Sequence, residues 1–384
     1  MVRLSPLLLC AALAMPLAAC SSKDAAQMHD GFGHVPHAGY TSGEGGTAWR
    51  DIWNSLSVRL QKDGVDAART QELFSRLNTP RTLVPMGAKI KELYSAQFLP
   101  RKTFKPAKTA KPRQKSQLER TLGVPGPWYK DVVTRANAAL CLDFIRTNCA
   151  AFRQAQRVYG VPPEIGAALL FVETRLGRVL GRENAFYSLA SMAVTRSPET
   201  IADYLDDLPG IRARKAWVRT RMNEKADWAY DELKALLEYC FANGIDPYSV
   251  PGSIYGAIGM CQFMPSNLPR YAADGDSDGI INIFEAPDAI ASLSRYLKEN
   301  GWKRGMTQQA QAKVLFRYNK STTYANTILA LARYITFLEH PSLARKAGKA
   351  AKLSAKAKRG TAVKASSGSM KKPVRAKAAQ IRKN

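Results

Sequence analysis

The feature that most constrains the fold is an apolar helix at residues 161–177, VPPEIGAALLFVETRLG. Pro162 and Pro163 suit the first turn of a helix, where missing N–H groups cost least. The run IGAALLFV has no polar side, so the pattern predicts a helix that is buried on all faces. An exposed glutamate would pair with a cation four residues on, but that position after Glu173 is Gly177. Glu173 is therefore a candidate catalytic acid.

Helical spacing recurs along much of the remaining chain. Amphipathic patterns begin at Ala48, run from 128 to 159 and return at 224–242, while residues 184–208 predict two short helices. The segment TLVPM, residues 82–86, predicts a short extended piece. No long alternating strand pattern and no repeat is present in the sequence. The predicted class is mainly α.

The first twenty residues predict export. Arg3 precedes an apolar stretch at residues 4–14, which is too short to span a bilayer and has the flanks of a signal peptide. The following motif, LAAC, resembles a bacterial lipobox, so we expect residues 1–19 to be removed and Cys20 to be lipidated. Ser21 after the cysteine favours an outer-membrane lipoprotein facing the periplasm. A plain secretory signal with an incidental cysteine is the alternative.

Three segments differ in composition from the rest of the chain. Residues 20–47 are rich in Gly, Ser and His and predict a flexible tether. Residues 101–115 form a Pro/Lys-rich connection with seven basic and no acidic residues, and residues 341–384 hold 14 basic and no acidic residues. Without these two segments and Arg3, 35 basic and 31 acidic residues remain of a chain with formal charge +26. We expect one folded domain over 48–340, followed by a disordered Lys/Ala-rich tail.

Four cysteines remain after export and lipidation: Cys141, Cys149, Cys240 and Cys261. They allow three disulfide connectivities, and sequence alone does not choose among them. Short loops are the easier closures, which favours Cys141–Cys149 and Cys240–Cys261. Free thiols are the alternative. None of the four has the CxxC spacing of a zinc site.

Two further segments can line a binding cleft. In GSIYGAIGMCQFMPSNL, residues 252–268, three glycines permit close backbone approach, and Gln262 is an amide in an apolar setting that needs a partner. A glycine-rich packing segment with a structural glutamine explains these residues equally well. The segment RYNKS, residues 317–321, and Tyr324 precede an apolar helix. Tyrosines and an amide can bind a sugar there, although helix capping and packing are the alternative.

An Asp-rich segment, DGDSDGIINIFE at residues 274–285, matches the EF-hand calcium loop. Three carboxylates within five residues repel one another unless a hard cation neutralises them. The pattern therefore predicts a structural Ca²⁺ site, and an Asp-rich turn without metal is the alternative. The residues at loop positions 1, 3, 5, 6, 7 and 12 are Asp274, Asp276, Asp278, Gly279, Ile280 and Glu285.

Taken in order, the motifs YGVPPEI–VETRLG, GSIYGAIGMCQFMPS, the Asp-rich loop and RYNKSTTYA resemble the lytic murein transglycosylases of the membrane-bound B type. The resemblance covers roughly residues 48–338 and is dense from Tyr159 to Tyr334. It implies a lysozyme-like α domain with added helices and loops. It also implies an enzyme that cleaves the MurNAc–GlcNAc β-1,4 bond of peptidoglycan without water and leaves a 1,6-anhydro-MurNAc end.

The same resemblance assigns roles to individual residues. Glu173 matches the catalytic acid, and in the calcium loop the last carboxylate matches Asp288, which competes with Glu285 for that position. About fifteen residues separate Trp302 from Arg317. The family has a long segment there that is partly β. The resemblance therefore does not extend to the far glycan subsites of the family. The residues matching substrate-binding positions are Ser253, Gln262, Tyr318, Asn319 and Tyr324.

The chemistry of a buried glutamate agrees with this resemblance. Apolar neighbours raise the pKa of the acid, so that it can protonate the glycosidic oxygen near neutral pH. The carboxylate then accepts the proton of the attacking MurNAc 6-hydroxyl, and no second carboxylate is needed, unlike in most glycosidases. A hydrolytic muramidase, with Asp203 or Asp206 as second acid, and a non-catalytic peptidoglycan-binding lipoprotein are the alternative functions.

The expected partners follow from the compartment. Peptidoglycan strands are the substrate, the lipid anchor reaches the membrane, and no organic cofactor is expected. Export excludes nucleic acid as the partner of the basic tail, which leaves anionic groups of the wall or of lipids.

Overall fold

The structure, a computed structural model, describes residues 48–100 and 115–353 of the 384-residue chain. The expected signal peptide, Cys20, the tether and most of the Pro/Lys-rich connection lie outside the described residues. In the two described ranges, no helix has both the length and the apolar character needed to cross a membrane.

Helices dominate the described chain, which confirms the mainly α class. The α-helices are α1 (Ala48–Lys62), α2 (Ala67–Ser75), α3 (Val84–Phe98), α4 (Gln117–Leu122), α5 (Arg135–Thr147), α6 (Cys149–Tyr159), α7 (Pro163–Thr174), α8 (Ala185–Val194), α9 (Lys215–Ala242), α10 (Leu268–Tyr271), α11 (Ala286–Glu299), α12 (Gln308–Tyr318) and α13 (Thr322–Glu339). Short 3₁₀ helices cover Pro198–Tyr204, Ile211–Arg214, Pro247–Ser249 and Pro265–Asn267. Two-residue strands β1 (Glu183–Asn184) and β2 (Pro251–Gly252) pair antiparallel.

Helix α7 lies at the centre of a continuous apolar core and packs against α5, α6, α11 and α13. Pro162 is its N-cap and Pro163 its first residue, as the sequence predicts. Every residue from Ile165 to Phe171 is buried, because the helix has neighbours on all sides. The helix ends at Arg175, whose φ of 50° is left-handed. The chain therefore turns away directly after Glu173 and Thr174.

The segment after α7 is joined to the glycine-rich segment by β-pairing. Glu183 pairs with Gly252, and Asn184 then caps α8 by accepting a hydrogen bond of 2.8 Å from the backbone N–H of Tyr187. A Cβ at Gly181 would lie 2.0 Å from the Gly252 carbonyl oxygen, so only glycine fits this approach. The two segments are thereby held side by side.

Two expectations about local structure are wrong. The segment TLVPM is not extended, because α3 begins at Val84 with Pro85 in its first turn, where proline is favoured. Residues 341–353 of the expected disordered tail are helical. Alanine and lysine are strong helix formers, and Ala344 and Ala347 pack against the core. Residues 354–384 of that tail lie outside the described part of the chain.

The favoured disulfide pairing does not form, since all four cysteines are free thiols. The Cys141 sulfur lies 3.9 Å from the Ala167 carbonyl oxygen on α7, and the Cys261 sulfur lies 3.2 Å from the Ala289 carbonyl oxygen on α11. Burial raises the pKa of Cys141 and of Cys240 to about 12. These side chains act as small apolar core residues, which is the alternative that the sequence left open.

Candidate active site

Glu173 is a half-buried residue in the last turn of α7, and its carboxyl group is enclosed. Burial raises the pKa of Glu173 from its usual 4.5 to about 7, and a hydrogen bond from the Tyr324 hydroxyl opposes that rise. Desolvation is the larger effect because it penalises only the charged form. The arrangement yields a carboxyl group that can both give and accept a proton near neutral pH.

Tyr324 is positioned by the start of α13. Its backbone N–H donates to the Ser321 hydroxyl oxygen at 3.2 Å, and its ring, only 1% exposed, stacks on Tyr318 with centroids 6.3 Å apart. Burial and the neighbouring Glu173 raise the pKa of Tyr324 well above its usual value of 10.0. The phenol therefore stays protonated and serves as a donor to the carboxyl group.

Gln262 and Tyr318 hold the glycine-rich segment in place. The Gln262 amide nitrogen donates to the carbonyl oxygens of Leu180 and Gly259, each at 3.1 Å, and the residue has a left-handed φ of 50°. The Tyr318 hydroxyl donates to the Cys261 carbonyl oxygen at 2.5 Å. Gln262 thus has the partner that its apolar setting required, and both side chains fix the position of the glycine-rich segment through hydrogen bonds to backbone carbonyl groups.

Ser253 and Asn319 retain capacity to bind a ligand. The Ser253 hydroxyl oxygen accepts from the backbone N–H groups of Tyr255 (3.3 Å) and Ala257 (3.0 Å), which leaves its own O–H to donate. Asn319 caps α12 through its backbone, and its half-buried side-chain amide has no hydrogen-bond partner among the residues that the structure describes.

A threonine that sequence analysis missed ties α7 to the glycine-rich segment. The Thr174 hydroxyl donates to the Met260 carbonyl oxygen at 2.9 Å and accepts from the Gly177 N–H at 3.0 Å. The available signal was a threonine directly after the candidate acid in a helix predicted to be buried, since a buried hydroxyl requires partners; the residue is indeed fully buried.

Glu232 on α9 is a second residue that the sequence did not single out. It is 3% exposed, and its carboxylate accepts from both the backbone N–H and the hydroxyl of Ser266, each at 2.8 Å. Burial raises the pKa of Glu232, and the Ser266 bonds oppose that rise. Because Ser266 follows the Gln262 turn, Glu232 anchors the far end of the glycine-rich segment. It lies in an otherwise ordinary helical pattern, which carries no signal of this contact.

The Asp-rich loop gathers some of its predicted ligands and not others. One carboxylate oxygen each from Asp274, Asp276 and Asp288 lies within 4.8 Å of the others. Asp288 is 3% exposed and accepts from the N–H groups of Gly275 (2.7 Å) and Asn282 (2.5 Å). Three acidic oxygens at this spacing form a donor set that suits a hard cation.

Glu285 does not join that group, contrary to the EF-hand spacing. It is exposed, it is the N-cap residue of α11, and its carboxylate accepts from the Asn282 side chain at 2.9 Å. Helix α11 begins directly after it, so Asp288 rather than Glu285 faces back into the loop. Asp278 also stays outside the group and accepts from the Ile280 N–H at 2.8 Å, while the Ile280 side chain is exposed.

Comparison with protein families matches residues 48–315 to the transglycosylase SLT domain. The matched range contains Glu173, Gln262 and the Asp-rich loop, and it covers well over half of the chain. The chain belongs to the transglycosylase SLT domain family. The tyrosine and asparagine candidates Tyr318, Asn319 and Tyr324 follow the end of the match to this SLT domain.

One characterised relative is the membrane-bound lytic murein transglycosylase B of Escherichia coli (strain K12). It is 32% identical to this SLT-domain chain over 186 residues, which are 48% of this chain and 44% of the relative. The alignment therefore spans less than half the length of that protein.

Two solved structures resemble the fold of this SLT-domain protein: the Escherichia coli lytic transglycosylase SLT35 in complex with bulgecin A and in complex with calcium. Each has a TM-score of 0.50 and 22% sequence identity, and each covers 75% of this chain and 93% of the solved chain. At this identity the similarity extends to the fold.

Proposed function

We propose that this SLT-domain protein is a peptidoglycan lytic transglycosylase in which Glu173 is the single general acid and base. The observation that carries the proposal is the enclosed Glu173 carboxyl group, whose pKa burial raises to about 7 and which receives a hydrogen bond from Tyr324. Family membership supports the same reaction class.

The proposed reaction consumes no water. Protonated Glu173 gives its proton to the oxygen of the MurNAc–GlcNAc β-1,4 bond, and the C1–O bond breaks as the GlcNAc hydroxyl leaves. The MurNAc 6-hydroxyl oxygen then bonds to C1 while its proton passes to the Glu173 carboxylate, which forms the 1,6-anhydro ring and restores the acid. The acetamido group of the substrate stabilises the oxocarbenium-like centre. Such general acid–base catalysis contributes about 10²- to 10⁴-fold in rate.

The surroundings of Glu173 favour this reaction over hydrolysis by a muramidase. Only burial and the Tyr324 hydrogen bond shift the pKa of Glu173, and no second carboxylate contributes within the described ranges. Asp203 and Asp206, the candidate second acids, are exposed residues on or directly after a 3₁₀ helix. A non-catalytic wall-binding protein has no requirement for an enclosed acid, so the same observation disfavours that alternative.

Asn319 and Ser253 are proposed to contact the sugar directly, because both retain hydrogen-bonding capacity. Tyr324 acts through Glu173. Gln262 and Tyr318 position the glycine-rich segment through their hydrogen bonds to Leu180 and Cys261. They are proposed to contact the sugar with the atoms that these hydrogen bonds do not use.

We further propose that the Asp-rich loop holds one structural Ca²⁺. The gathered oxygens of Asp274, Asp276 and Asp288 fit such an ion, with the Ile280 carbonyl as an additional ligand. Burial and the negative charges of Asp276 and Asp274 raise the pKa of Asp288, as expected for carboxylates brought together. Calcium bound here neutralises that repulsion and joins the loop to α11. It takes no part in bond cleavage.

The proposed location is the outer membrane, with a lipid anchor on Cys20 and the catalytic domain in the periplasm. The sequence motif before Cys20 and the name of the Escherichia coli relative support this location. The basic residues after 341 are proposed to bind anionic wall or lipid groups weakly and in a salt-sensitive way.

The test is mass spectrometry of products released from purified sacculi by the full chain and by its Glu173→Gln variant. We expect anhydro-muropeptides from the wild type and a loss of about 10²- to 10⁴-fold in the variant. The matched control is Glu164→Gln, the same substitution in the first turn of the same helix, which keeps activity. Reducing ends would indicate a muramidase, and sacculus binding without products would indicate a binding protein.

A further inference from the structure

A cluster of unpaired arginines follows the candidate acid directly. We call residues 175–182 the arginine loop; it carries Arg175, Arg178 and Arg182, and all three are exposed. None of them has an ion pair or hydrogen-bond partner among the residues that the structure describes. Arg175 places its guanidinium 5.6 Å from the centre of the Phe171 ring.

Some arginines elsewhere on the surface are paired with acids. Arg196 lies 2.6 Å from Asp227, and Arg270 lies 2.8 Å from Glu299. The three arginines of the loop have no such ion pair in the described part of the chain, and with the exposed Glu183 that directly follows Arg182 the segment keeps a net charge of +2.

The backbone of the arginine loop is held in a defined shape. Arg175, Leu176 and Gly177 have successive φ values of 50°, 63° and 86°, a conformation that non-glycine residues rarely adopt. Outliers of this kind concentrate at functional sites because neighbouring structure must enforce them. Here the enforcing contacts are hydrogen bonds from Leu176 N–H to the Leu170 carbonyl (3.1 Å) and from Val179 N–H to the Thr174 carbonyl (2.9 Å).

The same loop is attached to the opposite side of the site. Gln262 donates to the Leu180 carbonyl, and Gly181 lies against Gly252. The three cations are therefore carried on a segment whose ends are joined to Glu173 on one side and to the Ser253–Gln262 wall on the other. A ligand held by these cations is therefore bound to the segment that connects the proposed acid with that wall.

Exposed guanidinium groups without partners are suited to carboxylates, which they bind in a bidentate geometry. A peptidoglycan strand supplies carboxylates on the peptide stems attached to its MurNAc units. We propose that the arginine loop binds these peptide-stem carboxylates and makes the enzyme prefer peptide-bearing strands over bare glycan. This inference rests on the proposed function and adds a determinant of substrate choice to it.

The test uses the double variant Arg178→Gln/Arg182→Gln. Arg175 is retained because its left-handed backbone and its place beside Glu173 would confuse the result. The matched control is Arg153→Gln/Arg212→Gln, which removes two exposed charges on α6 and on the 3₁₀ helix Ile211–Arg214. Steady-state cleavage is measured on peptide-bearing strands and on strands from which an amidase has removed the peptides.

The loop variant is expected to raise KM for peptide-bearing strands about threefold to tenfold, as for two exposed ion pairs, with kcat unchanged. For bare strands its KM stays at the wild-type value, and the control variant behaves as wild type on both substrates. An equal rise in KM on both substrates, or no rise on either, overturns the proposal.

A binding measurement separates this proposal from the proposed function. Both arginine variants are placed in the Glu173→Gln background, and co-sedimentation with peptide-bearing and bare strands is measured at low and high salt. A peptide-dependent, salt-sensitive loss of binding supports the arginine loop even where no turnover is seen. Equal loss of binding to phosphatidylglycerol vesicles would overturn it in favour of a general polyanion surface.

Discussion

Glu173 and Asp274 are carboxylic acids of the same domain, yet their surroundings move their pKa values in opposite directions. Around Glu173, burial dominates and raises the pKa to about 7. Around Asp274, hydrogen bonds from backbone N–H groups, led by that of Gly279, lower the pKa. The first carboxyl group is kept able to carry a proton, and the second is kept charged.

The comparison teaches that burial and the number of local donors together decide the role of each acid. Asp274 accepts from the N–H groups of Ser277 (2.6 Å) and Gly279 (3.0 Å), which stabilise the charged form. Glu173 is in a helix whose N–H groups are already used by the helix itself, so among the described residues only the Tyr324 hydroxyl donates to its carboxyl group. A turn supplies free donors and a helix interior does not.

The largest stability effect is expected from Glu173→Gln. The folded protein holds a proton on Glu173 up to a pKa of about 7, while the unfolded chain releases it near 4.5. The contribution of Glu173 to stability is therefore fully present below pH 4.5 and lost as the pH rises through 7. Glutamine does not titrate, so we expect the variant to exceed the wild type by up to about 3 kcal/mol above pH 7.

Urea unfolding at pH 4 and at pH 8 measures this difference in the free energy of unfolding. The gain from Glu173→Gln should be present at pH 8 and vanish at pH 4. Glu164→Gln is the control, because Glu164 lies in the first turn of α7, where negative charge is favoured. A gain from Glu173→Gln that is equal at both pH values would show that desolvation of the charge is not its cause.

The next effect concerns the Asp-rich loop. Calcium at a hundredfold excess over its dissociation constant should raise the free energy of unfolding of the wild type by about 2.7 kcal/mol. Asp288→Asn should lose most of this gain, because Asp288 is the buried member of the gathered carboxylates. Thermal unfolding with and without calcium, together with titration calorimetry, measures both quantities.

Glu285→Gln is the matched control for this prediction. Glu285 is exposed and hydrogen-bonded to Asn282 outside the carboxylate group, so its variant should keep the calcium response. If Glu285→Gln lost the calcium response and Asp288→Asn kept it, Glu285 would be the ligand at position 12, as the EF-hand spacing predicts.

Much of α7 could be predicted from sequence because its burial follows from an uninterrupted apolar run and its start from two prolines. The opposite holds for contacts between distant residues. The Tyr318 hydroxyl donates to the Cys261 carbonyl oxygen, 57 residues away along the chain. Neither sequence segment contains a pattern that predicts this hydrogen bond. The sequence predicted that Tyr318 belongs to the site but could not show that its hydroxyl is used within the protein.

The choice between Glu285 and Asp288 illustrates a second limit. Loop spacing alone favours Glu285, whereas the start of α11 at Ala286 turns Asp288 inward. Helix boundaries are the least certain part of a sequence prediction, and a shift of one turn changes which acid faces the loop. The short-loop disulfides failed for a similar reason, since Cys141 and Cys261 face α7 and α11 rather than their partners.

The smallest effect is expected from Tyr324→Phe, which removes the hydroxyl that donates to Glu173. The Tyr324 hydrogen bond lowers the pKa of Glu173, so its removal should raise that pKa further above 7. The basic limb of the kcat profile should move to higher pH. The ionised carboxylate also loses a charge-assisted hydrogen bond, so kcat at pH 7 should fall about tenfold.

Tyr296→Phe is the control for this change. Tyr296 belongs to the same aromatic cluster, with its ring centre 4.8 Å from that of Tyr318, but its hydroxyl donates to the Arg317 carbonyl oxygen at 3.3 Å rather than to Glu173. It should therefore leave the basic limb in place. A Tyr324→Phe profile with an unmoved or lowered limb would mean that burial alone sets the pKa of Glu173. The difference in donor number between Glu173 and Asp274 would then have no effect on catalysis.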